Sequence, residues 1–201
     1  MSQKQIVDST MGRRLFLQRS ALLSIGAAIT GAVALPNALA GTESSDIALL
    51  NVALGLEHQG IAAYQVGAES KLLMPAVLKV ALTFQDQHKE HAKILAKSIK
   101  ELGGKAVAER ASLKAPVATL ARAYAIPLAT LKNQADVLHF AAALEIGAAK
   151  AYLSTVAKFR DRKLAEAAAN IEGDETMHYA ILRNVLGEDP VPSAFVSSMP
   201  A

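Results

Sequence analysis

Cysteine is missing from all 201 residues. Its absence excludes disulfides, zinc–thiolate sites, cysteine-ligated iron–sulfur clusters and thiol nucleophiles together. It leaves the compartment open, because a cysteine-free chain can serve on either side of a membrane. Aromatic residues are scarce, at 4%. Sheets draw on aromatic and β-branched residues, whereas alanine and leucine, abundant here, favour helix, so the expected class is all-α. Charge of one sign is also missing once the first 40 residues are set aside. The formal net charge is +3, but four of the 21 bases (Lys4, Arg13, Arg14, Arg19) and only one of the 18 acids (Asp8) fall in that segment, which leaves the remainder neutral. A nucleic-acid partner therefore has no electrostatic support. No Gly-x-Ser-x-Gly elbow, Gly-rich phosphate loop or serine triad pattern occurs, so nothing supports a hydrolase.

What is present divides into an address and a domain. The address is residues 1–40. Arg13-Arg14-Leu15-Phe16-Leu17 precedes an apolar stretch from Ala21 to Leu35, and Pro36-Asn37 lead to Ala38-Leu39-Ala40. These are a basic n-region, an h-region and a small-x-small cleavage site at Ala38 and Ala40, in the order of a signal peptide. The apolar stretch is shorter than the ~20 residues that span a bilayer comfortably. The paired arginines followed by Phe-Leu, with a weakly hydrophobic Gly/Ala/Thr-containing h-region, resemble a twin-arginine signal. That resemblance implies the twin-arginine export machinery as a partner and a periplasmic protein starting near Gly41. An ordinary secretory signal is the plainer alternative, and an uncleaved membrane anchor a further one.

Residues 41–201 form one domain, since 52% apolar residues are enough for a sizeable core. Apolar residues recur at helical spacing in four segments. The first begins near Ser45 or Asp46, either of which could cap it, and carries Leu50, Ala53, Leu54, Ile61 and Tyr64 as far as about Ser70. The second has Pro75 in its first turn and a stripe of Leu78, Ala81, Leu82, Leu95, Ile99 and Leu102, stopped by Gly103-Gly104. The third starts near Asn133 with Leu138, Ala141, Ala142, Ala149, Tyr152 and Val156. The fourth starts near Asp161 with Leu164, Ala168, Ile171, Ile181, Leu182 and Val185, and ends at Gly187. Between the second and third lie some 30 residues with Pro116 and Pro127, far more than the 2–8 typical of bundle neighbours. A crossover with a short helix near Val117–Tyr124 accounts for them. A bundle with one long crossover has ferritin-like topology. Residues 188–201, with three prolines, are expected to pack as an extended tail.

The chain repeats itself. Leu56-Glu57, with Ala63-Tyr64 beyond it, parallels Leu144-Glu145, with Ala151-Tyr152. His88-x-x-His91 parallels Glu175-x-x-His178, at 34 residues from Glu57 to His91 and 33 from Glu145 to His178. These polar residues lie on the apolar stripes. Residues three apart share a helix face, so each pair aims two donors at one point. Burying a carboxylate without a partner costs several kcal/mol, and three on one level of a core repel one another. Divalent cations relieve this most simply, and carboxylates with imidazoles suit Fe(II), Mn(II) and Zn(II). A metal-free, fully hydrogen-bonded polar layer is the other reading. Tyr64 and Tyr152 are expected to donate hydrogen bonds to carboxylates. His58 and His139 fall beside the stripes, as surface or interface residues, and Glu172 and Asp174 flank the site as solvated ones.

With these residues, positions 46–187 resemble the ferritin-like superfamily of ferritins, rubrerythrins and manganese catalases, and more narrowly exported ferritin-like domain proteins with twin-arginine signals. The resemblance implies that Glu57 and Glu145 are the single glutamate ligands of the first and third helices. It implies that Glu175 and His178 are the Glu-x-x-His of the fourth, with Glu175 bridging, and that His91 is the histidine of the second. His88 departs from the pattern, which has a bridging glutamate there. The implied cofactor is a pair of iron or manganese ions, or a single ion because of His88. The implied activity is oxidation of Fe(II) or removal of peroxide, as in ferroxidases and catalases. A non-enzymatic periplasmic bundle, metal-free or with one metal and an envelope or stress-related binding role, is the alternative. The Ala- and Gly-rich helices would permit close packing in a homodimer.

Overall fold

The computed structural model describes residues 45–201; the expected signal segment, with Arg13, Arg14, Ala38 and Ala40, lies outside the described residues. Four long helices dominate: α1 (Ser45–Glu69), α2 (Pro75–Glu101), α4 (Gln134–Val156) and α5 (Arg162–Leu186), with a short α3 (Val117–Ala123) in the connection before α4. No strand occurs among the described residues, so the all-α expectation holds. Helices α1 and α2 pack as one antiparallel pair and α4 and α5 as another, with α1 beside α4 and α2 beside α5. No described helix is long and apolar enough to cross a membrane.

The helix ends follow local chemistry. Pro75 opens α2 at a position whose N–H has no intrahelical partner. Asn133 accepts a hydrogen bond from the Asp136 N–H while the Asp136 side chain accepts from the Asn133 N–H, a reciprocal box that starts α4. Asp161 caps α5, and Gly187, at φ 77°, terminates it in the left-handed conformation glycine tolerates. Asp46, expected as a cap for its own helix, instead accepts from the N–H groups of Arg160 and Asp161 and ties the start of α1 to the turn between α4 and α5.

The crossover from α2 to α4 is stitched to the outer face of α1. The Asn51 side chain donates to the Lys105 carbonyl and accepts from the Val107 N–H, and Gln59 donates to the Tyr124 carbonyl. Leu120, Ala121, Tyr124 and Ile126 bury themselves on Ala62 and Val66. The tail lies on the bundle. Tyr179 donates to the Pro200 carbonyl, Lys150 to that of Met199, and Met199 itself is buried.

Four stripe assignments need correction. Leu82, Leu102, Ile181 and Val185 are each about 40% exposed. The buried face of α2 runs instead through Val77, Ala81, Phe84, Gln85, His88, Leu95 and Ile99, and that of α5 through Ala168, Ile171, Glu175, His178, Tyr179 and Leu182. An apolar residue on the rim of a helix repeats at the same spacing as one on its buried face, and the middle level of the buried face is polar, with His88 on α2 and Glu175 and His178 on α5. Two apolar layers sandwich that level. One holds Leu50, Leu54, Leu95, Ile99 and Ile171; the other holds Phe84, Leu138, Ile146, Tyr179 and Leu182.

Candidate metal centre

Glu57 on α1, His88 on α2, Glu145 on α4 and Glu175 and His178 on α5 are all at most 3% exposed, and His91 on α2 is only slightly more open. Their donor atoms converge. One atom from each of Glu57, His88, His91 and Glu175 lies within 4.8 Å of the others, and the same holds for His88, Glu145, Glu175 and His178. The two sets share His88 and Glu175. All six residues singled out from the sequence thus meet at one level of the bundle.

Their supports cross between the two halves of the chain. The Tyr64 hydroxyl of the first half donates to Glu145 of the second, and the Tyr152 hydroxyl of the second donates to Glu57 of the first. Burial and the adjacent carboxylates hold both phenols well above the usual tyrosine range, so each keeps its proton for this bond. The histidines follow the same rule. His91 Nε2 on α2 sits 3.1 Å from Asp174 on α5, and His178 Nε2 on α5 sits 2.8 Å from Gln87 Oε1 on α2. With Nε2–H committed outward, both Nδ1 atoms face inward, His91 at 3.3 Å from Glu175 and His178 at 3.4 Å from Glu145. Phe84 stacks on the His178 ring at 4.0 Å between centroids and meets Tyr64 edge-on.

Asp174 is therefore not the solvated flank expected of it. Its side chain is 22% exposed and pairs with His91. Glu172 accepts from Thr176 on its own helix. His139 is exposed and pairs with Glu188. His58 is half-buried, and burial lowers its pKa. Gln87 and Asp174 carried a readable signal, since they are the residues just before His88 and Glu175 and occupy equivalent places in the repeat. Gly60 was also missed. A Cβ there would come within 3.2–3.3 Å of the His88 ring, so α1 approaches that imidazole as glycine allows. The equivalent position in the other half is Ala148.

The electrostatics are those of crowded, buried charge. Burial pushes Glu57 and Glu145 up, but bonds and attraction from the histidines outweigh it and hold both below the usual carboxylate range. Glu175 is pushed up to about 7 by burial and by Glu145. Burial lowers the histidines, yet the carboxylates raise His91 and His178 to about 9 and His88 well above its usual value. His88 has partners on both nitrogens: Nδ1 is 2.8 Å from Glu57 and Nε2 3.3 Å from Glu145.

Three buried atoms have no hydrogen-bond partner among the described residues: both carboxylate oxygens of Glu175 and Nδ1 of His91. Glu175 belongs to both four-residue sets and His91 to one of them. Orphaned atoms of this kind call for a cation, either a proton on the imidazole or a metal ion. A set of three carboxylates and three imidazoles suits borderline divalent ions, so the residues fit a metal.

An all-helical bundle with a buried carboxylate–histidine cluster on one level defines the class. The ferritin-like domain profile matches residues 45–188, and the chain belongs to that family. Among solved structures it is similar to a conserved hypothetical protein from Mycobacterium tuberculosis, at 22% identity and a TM-score of 0.56 over 75% of this chain and 96% of that one. It is also similar to ferritin-like, diiron-carboxylate proteins from Bacillus anthracis str. Ames, at 18% identity and a TM-score of 0.51 over 72% and 99%. At these identities the likeness concerns the fold. No curated protein matches the sequence.

Proposed function

We propose that this protein binds iron or manganese at Glu57, His88, His91, Glu145, Glu175 and His178, and that it oxidises Fe(II) or removes peroxide after export to the periplasm. The observation that carries the reading is the orphaned Glu175 carboxylate at the junction of two ligand sets. The diiron-carboxylate character of a structural neighbour supports it. When bound, the metal supplies one-electron exchange with oxygen or peroxide, which the side chains here lack. The chain's own residues hold and insulate it. Tyr64 and Tyr152 fix the rotamers of Glu145 and Glu57, and Asp174 and Gln87 fix the tautomers of His91 and His178, leaving the Nδ1 lone pairs inward. The two apolar layers keep bulk water away. Metal binding must displace the protons these histidines hold, so affinity rises with pH.

His88 limits the metal count. Glu175, with two free oxygens, can serve both ligand sets together, whereas an imidazole that keeps its second proton serves one at a time. Anaerobic iron loading followed by metal analysis tests the proposal. Between one and two equivalents are expected, and less than about 0.2 would reject it, because preformed ligands of this kind retain metal.

The second reading, a metal-free or single-metal bundle with a binding role, rests on His88 itself. Protonated between Glu57 and Glu145, it is a built-in counter-ion. On that reading Glu175→Gln leaves metal content and metal-dependent stability unchanged; on ours it lowers both and stabilises the metal-free protein. Export is tested separately by N-terminal sequencing of the periplasmic protein, with a start near Gly41 expected.

A further inference from the structure

A cavity of about 30 Å³ lies one helical turn from the cluster, in the layer built by Phe84, Leu138 and Leu182. All four long helices wall it. Ala63 and Tyr64 come from α1, Ala81 from α2, Ala141 from α4 and Leu182 from α5. The space follows from the sequence. Ala63, Ala81 and Ala141 stand where larger side chains would fill the layer, and a close-packed interior otherwise leaves few voids. A single water needs roughly 10–15 Å³ of such space, so a diatomic molecule fits.

The lining is almost wholly apolar, and the hydroxyl of Tyr64, one of the lining residues, already donates its proton to Glu145. A water or peroxide molecule needs two to four polar partners, and apolar cavities of this kind stay dry. A nonpolar diatomic needs none. Tyr64 separates the cavity from the metal-ligand level, with its ring 5.4 Å from that of His88. Partly exposed Val80 and Leu131 and the exposed Val185 also line the cavity and give it a route outward.

We infer that this cavity is a binding site for dioxygen, held beside the metal centre behind Tyr64. The inference rests on the metal reading above and adds to it the identity of the oxidant: oxygen, in preference to peroxide.

Xenon is the probe, because it takes apolar cavities and ignores metals. Crystals of the full-length protein under xenon pressure should show one xenon atom between Ala81, Ala141 and Tyr64. Ordered water in that place, or no xenon, overturns the inference even if the protein binds metal. A xenon atom in a protein that takes up no iron or manganese leaves an apolar gas site standing while the metal reading fails, so the two failures are distinguishable. Ala81→Val should abolish the xenon peak while leaving iron content unchanged. In iron-loaded protein it should slow oxidation by oxygen several-fold and leave oxidation by peroxide unaltered. Equal slowing with both oxidants overturns the inference. Should Ala81→Val not fold, Ala141→Val fills the same space from the opposite pair of helices.

Discussion

The two helix pairs, α1–α2 and α4–α5, carry the same supports and opposite charges. Glu57 and Glu145 match, as do Tyr64 and Tyr152, and His91 and His178, and each tyrosine or histidine is held by a residue from the other pair. The symmetry breaks at two neighbouring positions. The first pair has Gln87-His88 where the second has Asp174-Glu175. His88 has partners on both nitrogens, whereas Glu175 has a hydrogen bond on neither oxygen. One half therefore brings an imidazole with a partner on each side, and the other brings a carboxylate that lies 3.3–3.7 Å from three imidazoles without a hydrogen bond to any of them. Gly60 shows that the difference is built into the packing, because the backbone beside His88 leaves room for the ring and the equivalent place in the other half is an alanine. A metal-free cluster can thus persist, and the carboxylate left without a hydrogen bond in it is Glu175.

Restoring the symmetry should have the largest effect. His88→Glu puts a fourth carboxylate among Glu57, Glu145 and Glu175 and removes their nearest counter-charge. Leaving buried charges unpaired costs about 3–5 kcal/mol, which lowers the metal-free Tm by about 10 °C or more for a domain of this size. Iron or manganese should return that stability and bring the count to two per chain, as thermal melts with and without metal and metal analysis would show. A His88→Glu protein as stable as the parent without metal breaks the comparison.

Next comes pH. His91 and His178 stand at about 9 when folded against an ordinary 6.5. A raised histidine stabilises the fold fully below its unfolded value and loses that contribution as pH climbs through the folded one. Glu175, at about 7 against an ordinary 4.5, adds to the same trend, since its charge becomes costly to bury as pH rises through that range. Glu57 and Glu145, held below the usual range, lose their contribution only on the acid side of 4.5. The metal-stripped protein should therefore be most stable near pH 5 and lose on the order of 5–10 °C in Tm by pH 9. Saturating metal, which replaces those protons, should flatten the decline. A metal-free Tm that rises from pH 6 to 9 would contradict the charge assignment.

The crossed tyrosines give a smaller and more symmetric test. Each hydroxyl donates to a charged, buried carboxylate, a bond worth about 1.5–3 kcal/mol. Tyr64→Phe and Tyr152→Phe should lower Tm by similar amounts. A large inequality would mean that the halves differ beyond positions 87–88 and 174–175.

How far the sequence disclosed this arrangement depended on which periodicity was read. The helix ends were legible because Pro75, Asn133, Asp161 and Gly187 act within a few residues of themselves. The cluster was legible because Glu57, Glu145 and the paired His/Glu motifs recur at matching intervals on apolar stripes. The outward rotation of Leu82 and Ile181 was not, since an apolar residue on the rim of a helix reads like one in the core until the neighbouring helix is placed. Gly60 was hidden for the same reason: glycine in a helix has a meaning only beside the ring it faces. The contact of Asp174 was hidden too, because it lies next to Glu175 in sequence, and adjacent helical residues point apart. Its partner comes from α2, and only the repeat register, carried one residue further upstream, pairs it with Gln87.

That last pair supplies the finest discrimination between the halves. Asp174 gives His91 a charged acceptor, while Gln87 gives His178 a neutral one. A carboxylate behind an imidazole raises its basicity and its hold on a metal, and losing such a support typically costs 10–100-fold in affinity. Because Asp174 is partly exposed, the lower end applies. Asp174→Asn should weaken one site by about tenfold, or ~1.4 kcal/mol, with the fold intact. Gln87→Glu should tighten the other site. Isothermal titration with Mn(II), resolved into two classes of site, reads both shifts. If Asp174→Asn and Gln87→Glu move the same class, the two histidines serve a single ion, and the halves of this bundle hold one metal between them.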